Sequence, residues 1–430
     1  MSEQEQLRDR SRAARAPRPT GIARHGRLPR PNAWKTALGL IGGGLAVVLV
    51  STSSVAAIDA YQLTSELSEN SVKINETEAP IPDIGAYEGG FNMLVVGSDA
   101  NYDRESVLND VNILIHVSAD QTNATAVSIP RDLVVPFPPC TDPETGRTSS
   151  AMSGRPLNEA LFYGGLGCAV TVVEALTGLD IHYAGMIGFD GVIAMSDAVG
   201  GVEVCIASPI KDRWVGLDLE AGTHSLQGHD ALAFLRSRHG VGDGSDLTRI
   251  SSQQVFLSAL LRKLKSEETL TNAGRLISLA KAAAANMTLS QELTQPATII
   301  AMAKALDNIP MDRITFVQYP GVTGQGGIYA GKVAPRKGLA DQLFAALQAD
   351  QPIGVEQAGD GRGSVVDPNA TAEPTPEETT PEETTPEETG TPDPTATDGA
   401  TTAPPVLPDK VVIPGINGQT AADRTCTVGN

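Results

Sequence analysis

Three aspartates lie where apolar segments of the sequence begin or end. Asp99 directly follows one apolar run, Asp110 precedes the next, and Asp132 follows a third. Each of them alone is typical of a turn. Carboxylates that meet at neighbouring strand ends can instead hold a hard divalent cation, and Mg²⁺ keeps several waters and takes further oxygens from a phosphate ligand. The pattern therefore predicts a site for Mg²⁺, or for Mn²⁺ in its place.

A second group of polar residues surrounds a glycine-rich segment, HGVGDGS, at 239–245. Arg236 and Arg238 precede it two residues apart, and Arg249 and Gln253 follow it. Guanidinium groups bind phosphate oxygens through paired hydrogen bonds. Salt bridges to carboxylates are the alternative explanation. Beside candidate metal ligands, these arginines predict a pyrophosphate site and phosphoryl transfer, in which positioning and charge neutralisation supply most of the catalysis.

Several common enzyme classes are excluded by what the sequence lacks. It contains no GxxxxGK[ST], HExxH or GxSxG motif, and its six histidines are scattered. The formal net charge of −19 also argues against nucleic acid as a partner, because phosphate neutralisation needs a basic surface.

The elements that would position these residues alternate along the chain. Strands are predicted for apolar, β-branched runs, and helices for longer amphipathic segments. The predicted strands are 91–97, 111–117, 124–129, 183–187, 202–206 and 314–318, and the predicted helices are 157–163, 169–176, 191–199, 230–238, 251–264, 276–286, 298–307 and 338–349. This order predicts an α/β (α+β) fold with a central mixed β-sheet flanked by helices on both faces.

The net charge is unevenly distributed. Residues 1–35 carry +6, residues 36–350 carry −14 and residues 351–405 carry −11. Residues 36–58 form a run of 23 residues without a charge, which is long enough to span a bilayer as one helix. Because the basic residues precede this run, the N-terminus is predicted to be cytoplasmic and the rest extracellular, in a single-pass cell-membrane protein. Cleavage after the small-x-small triplet at 54–56 is the alternative.

Six segments follow from these features. They are a basic cytoplasmic tail at 1–35, a transmembrane anchor at 36–58, a polar stalk at 59–86, the main domain at 87–350, a disordered acidic spacer with three TPEET repeats at 351–405, and a short C-terminal segment at 406–430.

The four cysteines lie on the predicted extracellular side, where disulfides persist. Four cysteines allow three pairings. We favour Cys140–Cys168, which leaves Cys205–Cys426 to tie the C-terminus to the domain. Free buried thiols are the alternative.

Six motifs in register resemble the LytR–CpsA–Psr family of cell-envelope proteins. They are GSD at 97–99, ND at 109–110, SIPRD at 128–132, PLNEALFYGG at 156–165, VGGVEV at 199–204, and LRSRH with GDGSDLTRISSQQ between 235 and 254. The resemblance covers residues 90–265. It implies a membrane-anchored transferase that moves a glycopolymer from a polyprenyl-pyrophosphate carrier onto a muramic acid hydroxyl of peptidoglycan.

The resemblance also implies roles for individual residues. Asp99 and Asp110 match the family's metal-binding aspartates. The remaining matches are to arginines that hold the phosphates and to residues further along the same site: Arg131, Arg236, Arg238, Arg249 and Gln253.

Two positions depart from the family's commonest pattern. Leu108 and Ser252 stand where many members have arginine. The loss of two cations weakens the predicted pyrophosphate site, and two further hypotheses therefore remain open. One is a non-enzymatic binder or regulator of lipid-linked polymer, and the other is a lipid pyrophosphatase.

Overall fold

The structure, a computed structural model, describes residues 65, 67–68, 71–74, 89–99, 107–143, 145–265, 273–370 and 407–430. The predicted cytoplasmic tail, the transmembrane anchor and the membrane topology lie outside these ranges, as does most of the predicted spacer.

Seven helices and twenty strands are defined in the described ranges. The helices are α1 (Ala160–Thr177), α2 (Phe189–Ala198), α3 (Gly228–Arg236), α4 (Asp246–Lys265), α5 (Ala273–Asn286), α6 (Pro296–Asn308) and α7 (Lys337–Gln348). The strands are β1 (Ser71–Val72), β2 (Phe91–Ser98), β3 (Asn109–Val117), β4 (Ala124–Ser128), β5 (Val134–Phe137), β6 (Met152–Pro156), β7 (Tyr183–Ile187), β8 (Val202–Ile206), β9 (Ile210–Asp212), β10 (Leu217–Leu219), β11 (Gly222–Leu226), β12 (Met287–Ser290), β13 (Ile314–Gln318), β14 (Gly321–Val322), β15 (Ala334–Pro335), β16 (Ile353–Gly354), β17 (Ser364–Val366), β18 (Val411–Val412), β19 (Gly418–Thr420) and β20 (Thr425–Thr427).

The central sheet has eight strands in the order β1-β12-β7-β2-β3-β4-β13-β19. Strand β2 is antiparallel to β3 and parallel to β7, and β4 is parallel to β13. The sheet is therefore mixed, as the sequence predicted.

Both faces of this sheet are covered, because its strands alternate apolar side chains between two cores. Leu114 and Val127 face one core, together with residues of α1 and α7. The neighbouring Ile113 and Ala126 face the other, together with residues of α4, α5 and α6. The predicted arrangement of helices on both faces is confirmed.

A second sheet joins distant parts of the chain in the order β11-β8-β20-β17. Both disulfides predicted from the sequence are present, Cys140–Cys168 and Cys205–Cys426. The second of these lies within this sheet, where Cys426 on β20 is the register partner of Cys205 on β8. The C-terminal strand is therefore held to the domain by both hydrogen bonds and a covalent bond.

Two predicted boundaries differ from the structure. The segment predicted as a polar stalk contains β1, and it buries Leu67 and Ile74. The predicted spacer contains β16 and β17 before residue 370, and residues 407–430 add three more strands. These segments are short and mostly polar, so their pairing depends on distant strands that local patterns do not reveal.

One described segment, Leu157–Thr177, is long and apolar enough to cross a membrane. It packs in the core with α7, and Cys168 ties it to Cys140. Its backbone also departs from helical geometry at Gly164 and Gly165. We therefore interpret it as a core helix of this domain.

Candidate active site at the end of the β2–β3 hairpin

The two predicted metal-binding aspartates lie at one end of the β2–β3 hairpin. Asp99 directly follows β2, and Asp110 is the second residue of β3. The Asp99 carboxylate accepts a hydrogen bond of 2.8 Å from the backbone N–H of Leu108, and the Asp99 N–H donates to the Leu108 carbonyl at 3.1 Å. An irregularity between Gly97 and Ser98 shifts the register at this end, which aims the following side chains away from the regular ladder.

Asn109 fixes this end of the hairpin against the start of α1. Its side-chain amide donates to the Leu157 carbonyl at 3.0 Å and to Asn112 Oδ1 at 2.6 Å, and its Oδ1 accepts from the Leu161 N–H at 3.3 Å. Asn109 is fully buried. The position of Asp110, its neighbour, is therefore set by the core.

Arg131, in the turn that follows β4, contacts Asp110. Its Nη1 forms an ion pair with Asp110 Oδ1, and its backbone N–H donates to Asp246 Oδ2 at 3.2 Å. Its Nε lies 3.7 Å from Asp132 Oδ2 and 3.8 Å from Asp246 Oδ1, distances too long for hydrogen bonds. Arg131 is therefore placed among three carboxylates.

Asp246 links Arg131 to Arg249. It is the first residue of α4, where a carboxylate is stabilised by the helix dipole. Its Oδ1 lies 2.6 Å from Arg249 Nη2, which also donates to the Asp110 carbonyl at 2.8 Å. Asp246 and Arg249 are both buried. The result is a connected cluster of two aspartates and two arginines under the end of the hairpin.

The two arginines differ in their electrostatics. Burial lowers the pKa of Arg131, but Asp110 and the other carboxylates outweigh it, so that the pKa is raised above its ordinary value. Burial also lowers the pKa of Arg249, where the positive charges of Arg131 and Arg238 add to the effect and Asp246 only partly offsets it. A negative charge next to Arg249 would therefore stabilise its protonated form.

An apolar cavity of about 240 Å³ opens beside this cluster, between the sheet and helices α2 to α5. Asp110, Arg236, Arg249 and Gln253 line it together with Ser98. Ser196 also lines it, and the apolar side chains of the wall come from Val95, Val111, Ile113, Ile187, Phe189, Val192, Met195, Val199, Val202, Leu232, Leu235, Phe256, Leu257, Leu260, Leu264 and Leu279. The cavity therefore combines an apolar interior with a charged end.

Arg236 lies at the end of α3 and lines the cavity, whereas Arg238, two residues later, does not line it. Helix α3 ends at Arg236 because Ser237 is extended, and the Arg236 guanidinium lies 4.2 Å from the centre of the Phe189 ring. The Arg238 side chain is half-buried, and its charge acts on Arg249. The predicted helix 230–238 was thus two residues too long at its end, and the extended backbone separates the two arginines.

A further cation, Lys332, lies near the site and was not predicted from the sequence. Its Nζ lies 2.9 Å from Asp132 Oδ1, so Asp132 is paired with both Lys332 and Arg131. Asp132 does not line the cavity, although sequence reasoning grouped it with Asp99 and Asp110. Gln253 lines the cavity, but its amide donates to the Leu235 carbonyl at 2.9 Å and so is partly engaged by protein.

Asp246 and Phe189 are the site residues that sequence reasoning did not assign. The spacing of Asp246 to Arg249, three residues apart on one helix, was the available signal. Phe189 is the first residue of α2 and follows Gly188. Nothing in the neighbouring sequence indicates that it belongs to the site. Its contact with Arg236 depends on the packing of α2 on α3.

The two departures from the family pattern occupy different surroundings. Leu108 meets Asp99 through its backbone alone. Ser252 is fully buried, and its hydroxyl donates to the Arg249 carbonyl at 2.8 Å. Ser252 thus fills a core position on α4 in this chain and does not line the cavity.

The residues present fit a magnesium ion by their chemistry. Asp99 and Asp110 offer carboxylate oxygens from adjacent strand ends, and Mg²⁺ in proteins is bound through one or two carboxylates plus phosphate oxygens. Within the described ranges, the one close group of three metal-type ligands is Cys205, Asp367 and Cys426, whose sulfurs form a disulfide. The hairpin end is the better candidate.

Comparison with solved structures supports the fold. A protein of Streptococcus agalactiae aligns with a TM-score of 0.51 at 22% identity, over 61% of this chain and 87% of that one. TagV of Bacillus subtilis aligns with a TM-score of 0.50 at 21% identity, over 61% and 97%.

Curated relatives match at higher identity over part of the chain. "Cell wall biosynthesis protein LcpA" of Corynebacterium glutamicum is 29% identical over 272 residues, which is 56% of this chain and 52% of that protein. The "probable cell wall biosynthesis protein LcpB" of the same organism is 31% identical over 51% of this chain and 53% of that protein. The chain thus spans about half the length of these two relatives. "Polyisoprenyl-teichoic acid–peptidoglycan teichoic acid transferase TagT" of Bacillus subtilis is 27% identical over 53% and 70%.

The family itself is shown by its sequence profile. The profile of the LytR_cpsA_psr family matches residues 47–345, well over half of the chain. This range includes the hairpin end, the cavity and every candidate site residue. The chain belongs to the LytR_cpsA_psr family.

Proposed function

We propose that this protein is a membrane-anchored phosphotransferase that moves a glycopolymer from a polyprenyl-pyrophosphate carrier onto a peptidoglycan muramic acid hydroxyl during cell-wall assembly. One observation carries the proposal: an apolar cavity whose charged residues are Asp110, Arg236 and Arg249. A polyprenyl pyrophosphate combines the same two properties in one molecule. The names of its relatives, cell wall biosynthesis proteins and a teichoic acid transferase, support the reaction class.

The polyprenyl chain would occupy the apolar part of the cavity. Leu257, Leu260 and Leu264 on α4 face Ile113 on the sheet across this space. Burying hydrocarbon there contributes roughly 25 cal/mol for each Å² removed from water. This binding energy would hold the lipid while leaving the pyrophosphate at the charged end.

The two phosphates would lie against the arginines. The Nε atoms of Arg131, Arg238 and Arg249 are buried and find no hydrogen-bond partner among the described residues. Their guanidinium groups are therefore not saturated by protein. Such preorganised charges stabilise the charge that develops on phosphate oxygens during transfer.

Asp99 and Asp110 would hold Mg²⁺, which when bound supplies further positive charge to the phosphate oxygens. The acceptor hydroxyl gives up its proton to solvent as its oxygen forms a bond to the sugar-linked phosphorus, the bond from that phosphorus to the bridging oxygen breaks, and polyprenyl phosphate leaves. The arginine cluster orients the phosphates for this in-line displacement and holds the leaving group.

The experiment that tests the function uses the full chain in detergent. A lipid-pyrophosphate donor with a radiolabelled sugar is mixed with peptidoglycan and Mg²⁺, and the label on peptidoglycan is measured. Transfer supports the proposal. Release of labelled sugar phosphate to water without transfer would identify a pyrophosphatase, and binding without either product would identify a binder.

Two substitutions then test the site. Arg238→Ala and Asp110→Asn are each expected to lower transfer at least about 100-fold, the effect of removing one charge-stabilising group. Asp341→Asn, at an exposed carboxylate on α7, is the matched control and should retain full activity. Full activity in both site variants would show that the site is assigned wrongly.

A further inference from the structure

The second feature of interest is an exposed tryptophan outside the cavity. Trp214 lies between β9 and β10, an antiparallel hairpin, and 70% of its surface is exposed. The chain contains two tryptophans, and tryptophan is rarely left this open to water. A single exposed apolar residue is ordinary by itself, and what distinguishes Trp214 is that it lines a surface depression.

This hairpin is fastened to the loop that carries Arg238. Asp212, the last residue of β9, is buried, and one of its carboxylate oxygens accepts four hydrogen bonds. The Ser237 hydroxyl donates one at 2.9 Å, and the backbone N–H groups of Arg238, His239 and Gly240 donate the others at 3.1, 3.1 and 3.3 Å. The hairpin and the site loop are therefore one rigid unit.

Neighbouring side chains hold the indole in place at the edge of a depression of about 720 Å³. The Arg213 guanidinium lies 5.3 Å from the ring centre, and the His239 ring lies 5.9 Å away, tilted by 47°. Lys211 and Asp218 also line the depression. It thus combines an aromatic surface with hydrogen-bonding groups.

The charges of this depression are balanced. Lys211 Nζ lies 3.2 Å from Asp218 Oδ1 and 3.6 Å from Glu220 Oε1. Such a surface does not favour an anionic bilayer, which attracts clusters of unpaired lysine and arginine. It fits a ligand that is rich in hydroxyl groups, since the electron-rich face of an indole also attracts the weakly positive C–H groups of a sugar ring.

We propose that Trp214, Arg213 and His239 form a glycan subsite that aligns a sugar chain along the rim of the site. His239 follows Arg238 directly, so the subsite begins one residue from the site. The identity of the glycan rests on the proposed function, which offers two sources: the peptidoglycan strand as acceptor, or the glycopolymer of the donor.

Binding can be measured without transfer. Trp34→Phe leaves Trp214 as the single tryptophan of the full chain, so that its fluorescence reports on the subsite alone. The detergent-solubilised protein is titrated with muramidase-released peptidoglycan oligosaccharides, with lipid-free cell-wall polysaccharide, and with phosphatidylglycerol vesicles. We expect a saturable change with one of the two glycans.

The outcomes separate the sources. Saturation with peptidoglycan fragments identifies an acceptor subsite, and saturation with the polysaccharide identifies a donor subsite. A response to vesicles alone would show a membrane contact and overturn the proposal, as would the absence of any saturable response. Because no donor lipid or product is involved, failure here is distinct from failure of the transfer reaction.

Substitutions provide the second readout. Trp214→Ala is expected to raise the KM for the glycan that binds about tenfold while kcat is unchanged, in line with the loss of one stacked ring. Trp214→Tyr should restore most of the affinity. Phe162→Ala, an exposed aromatic residue on α1 outside the depression, is the control and should leave KM unchanged. An unchanged KM in Trp214→Ala would refute the subsite.

Discussion

The two ends of the β2–β3 hairpin keep polar side chains buried in different ways. At the site end, Asp110 meets the buried pair Asp246 and Arg249. At the other end of the hairpin, near the start of β2, Asn92 lies opposite His116. Its side-chain oxygen accepts a hydrogen bond of 2.8 Å from the His116 ring. Two buried ion-paired residues thus hold one end, whereas at the other end an amide and an imidazole are buried, and the carboxylate that approaches them, Asp350 at 3.3 Å from His116 Nε2, is exposed.

The difference between the two ends distinguishes polar groups that the fold requires from polar groups that it does not. Burying charges is costly even when they are paired, whereas neutral polar groups that bond to each other lose much less. The fold requires that the buried polar groups at each end of the hairpin be hydrogen-bonded, and neutral groups are sufficient for this. The paired charges at the site end are therefore more than the fold alone requires, and the next predictions measure this difference.

The largest expected effect is on stability, from Asp246→Ala. This change leaves Arg249 as a buried cation without its nearest carboxylate. We expect the free energy of unfolding to fall by about 3–5 kcal/mol, the usual cost of removing one partner of a buried pair. Chemical denaturation followed by circular dichroism measures the loss.

The matched control is Asp341→Ala. This carboxylate pairs with Lys337 at 2.9 Å, but both side chains are more than half exposed. Its loss should cost about 0–1 kcal/mol. Equal losses in the free energy of unfolding for the two variants would contradict the view that buried, paired charges hold the site end of the hairpin.

The second effect is on activity, from Arg249→Met. Without this cation, the phosphates lose one buried partner, and transfer is expected to fall about 100- to 1,000-fold. The loss of stability should be smaller than in Asp246→Ala, because Asp246 keeps its contacts with Arg131. The transfer assay and thermal unfolding give the two values.

Arg262→Met is the control on the same helix. Arg262 is largely buried and donates to the carbonyls of Ala421 and Asp423 at 2.9 and 3.1 Å, away from the cavity. We expect this variant to lose stability and to keep its transfer rate. A comparable loss of transfer in Arg262→Met would show that the effect of Arg249 is structural.

Much of the fold could be predicted because its central strands are apolar and β-branched. The strands 183–187, 202–206 and 314–318 have the predicted bounds. The β9–β10 hairpin was missed because its strands are three residues long and partly polar. Strands β17 and β20 were missed because their partners are distant in sequence.

The candidate site was predicted in parts. Asp110, Arg131 and Arg249 were each assigned, and the structure brings them together. That Asp246 connects them could not be predicted, because an acidic first residue of a helix is ordinary in sequence. Its role depends on contact with Arg131, which lies in the turn after β4 and is distant from Asp246 in sequence.

The smallest effect is a pH dependence from the neutral end of the hairpin. Burial lowers the pKa of His116 below its ordinary value of 6.5, although Asp350 partly offsets this, and burial likewise lowers the pKa of His182, which Asp180 partly offsets. His182 Nδ1 also accepts a hydrogen bond from the Asn92 N–H at 3.2 Å, which requires an unprotonated nitrogen. The folded state therefore resists protonation at both rings.

The unfolded chain takes up these protons first as the pH falls below about 6.5, so stability is complete above that value and decreases below it, by at most about 1.4 kcal/mol per pH unit for each histidine. Urea denaturation between pH 7.5 and 5.5 measures this slope. His116→Gln is expected to reduce it, while His224→Gln, at a half-buried histidine on β11 outside this hairpin, keeps it. An unchanged slope in His116→Gln would mean that this end of the hairpin tolerates charge as the site end does, and the contrast between the two ends would then not hold.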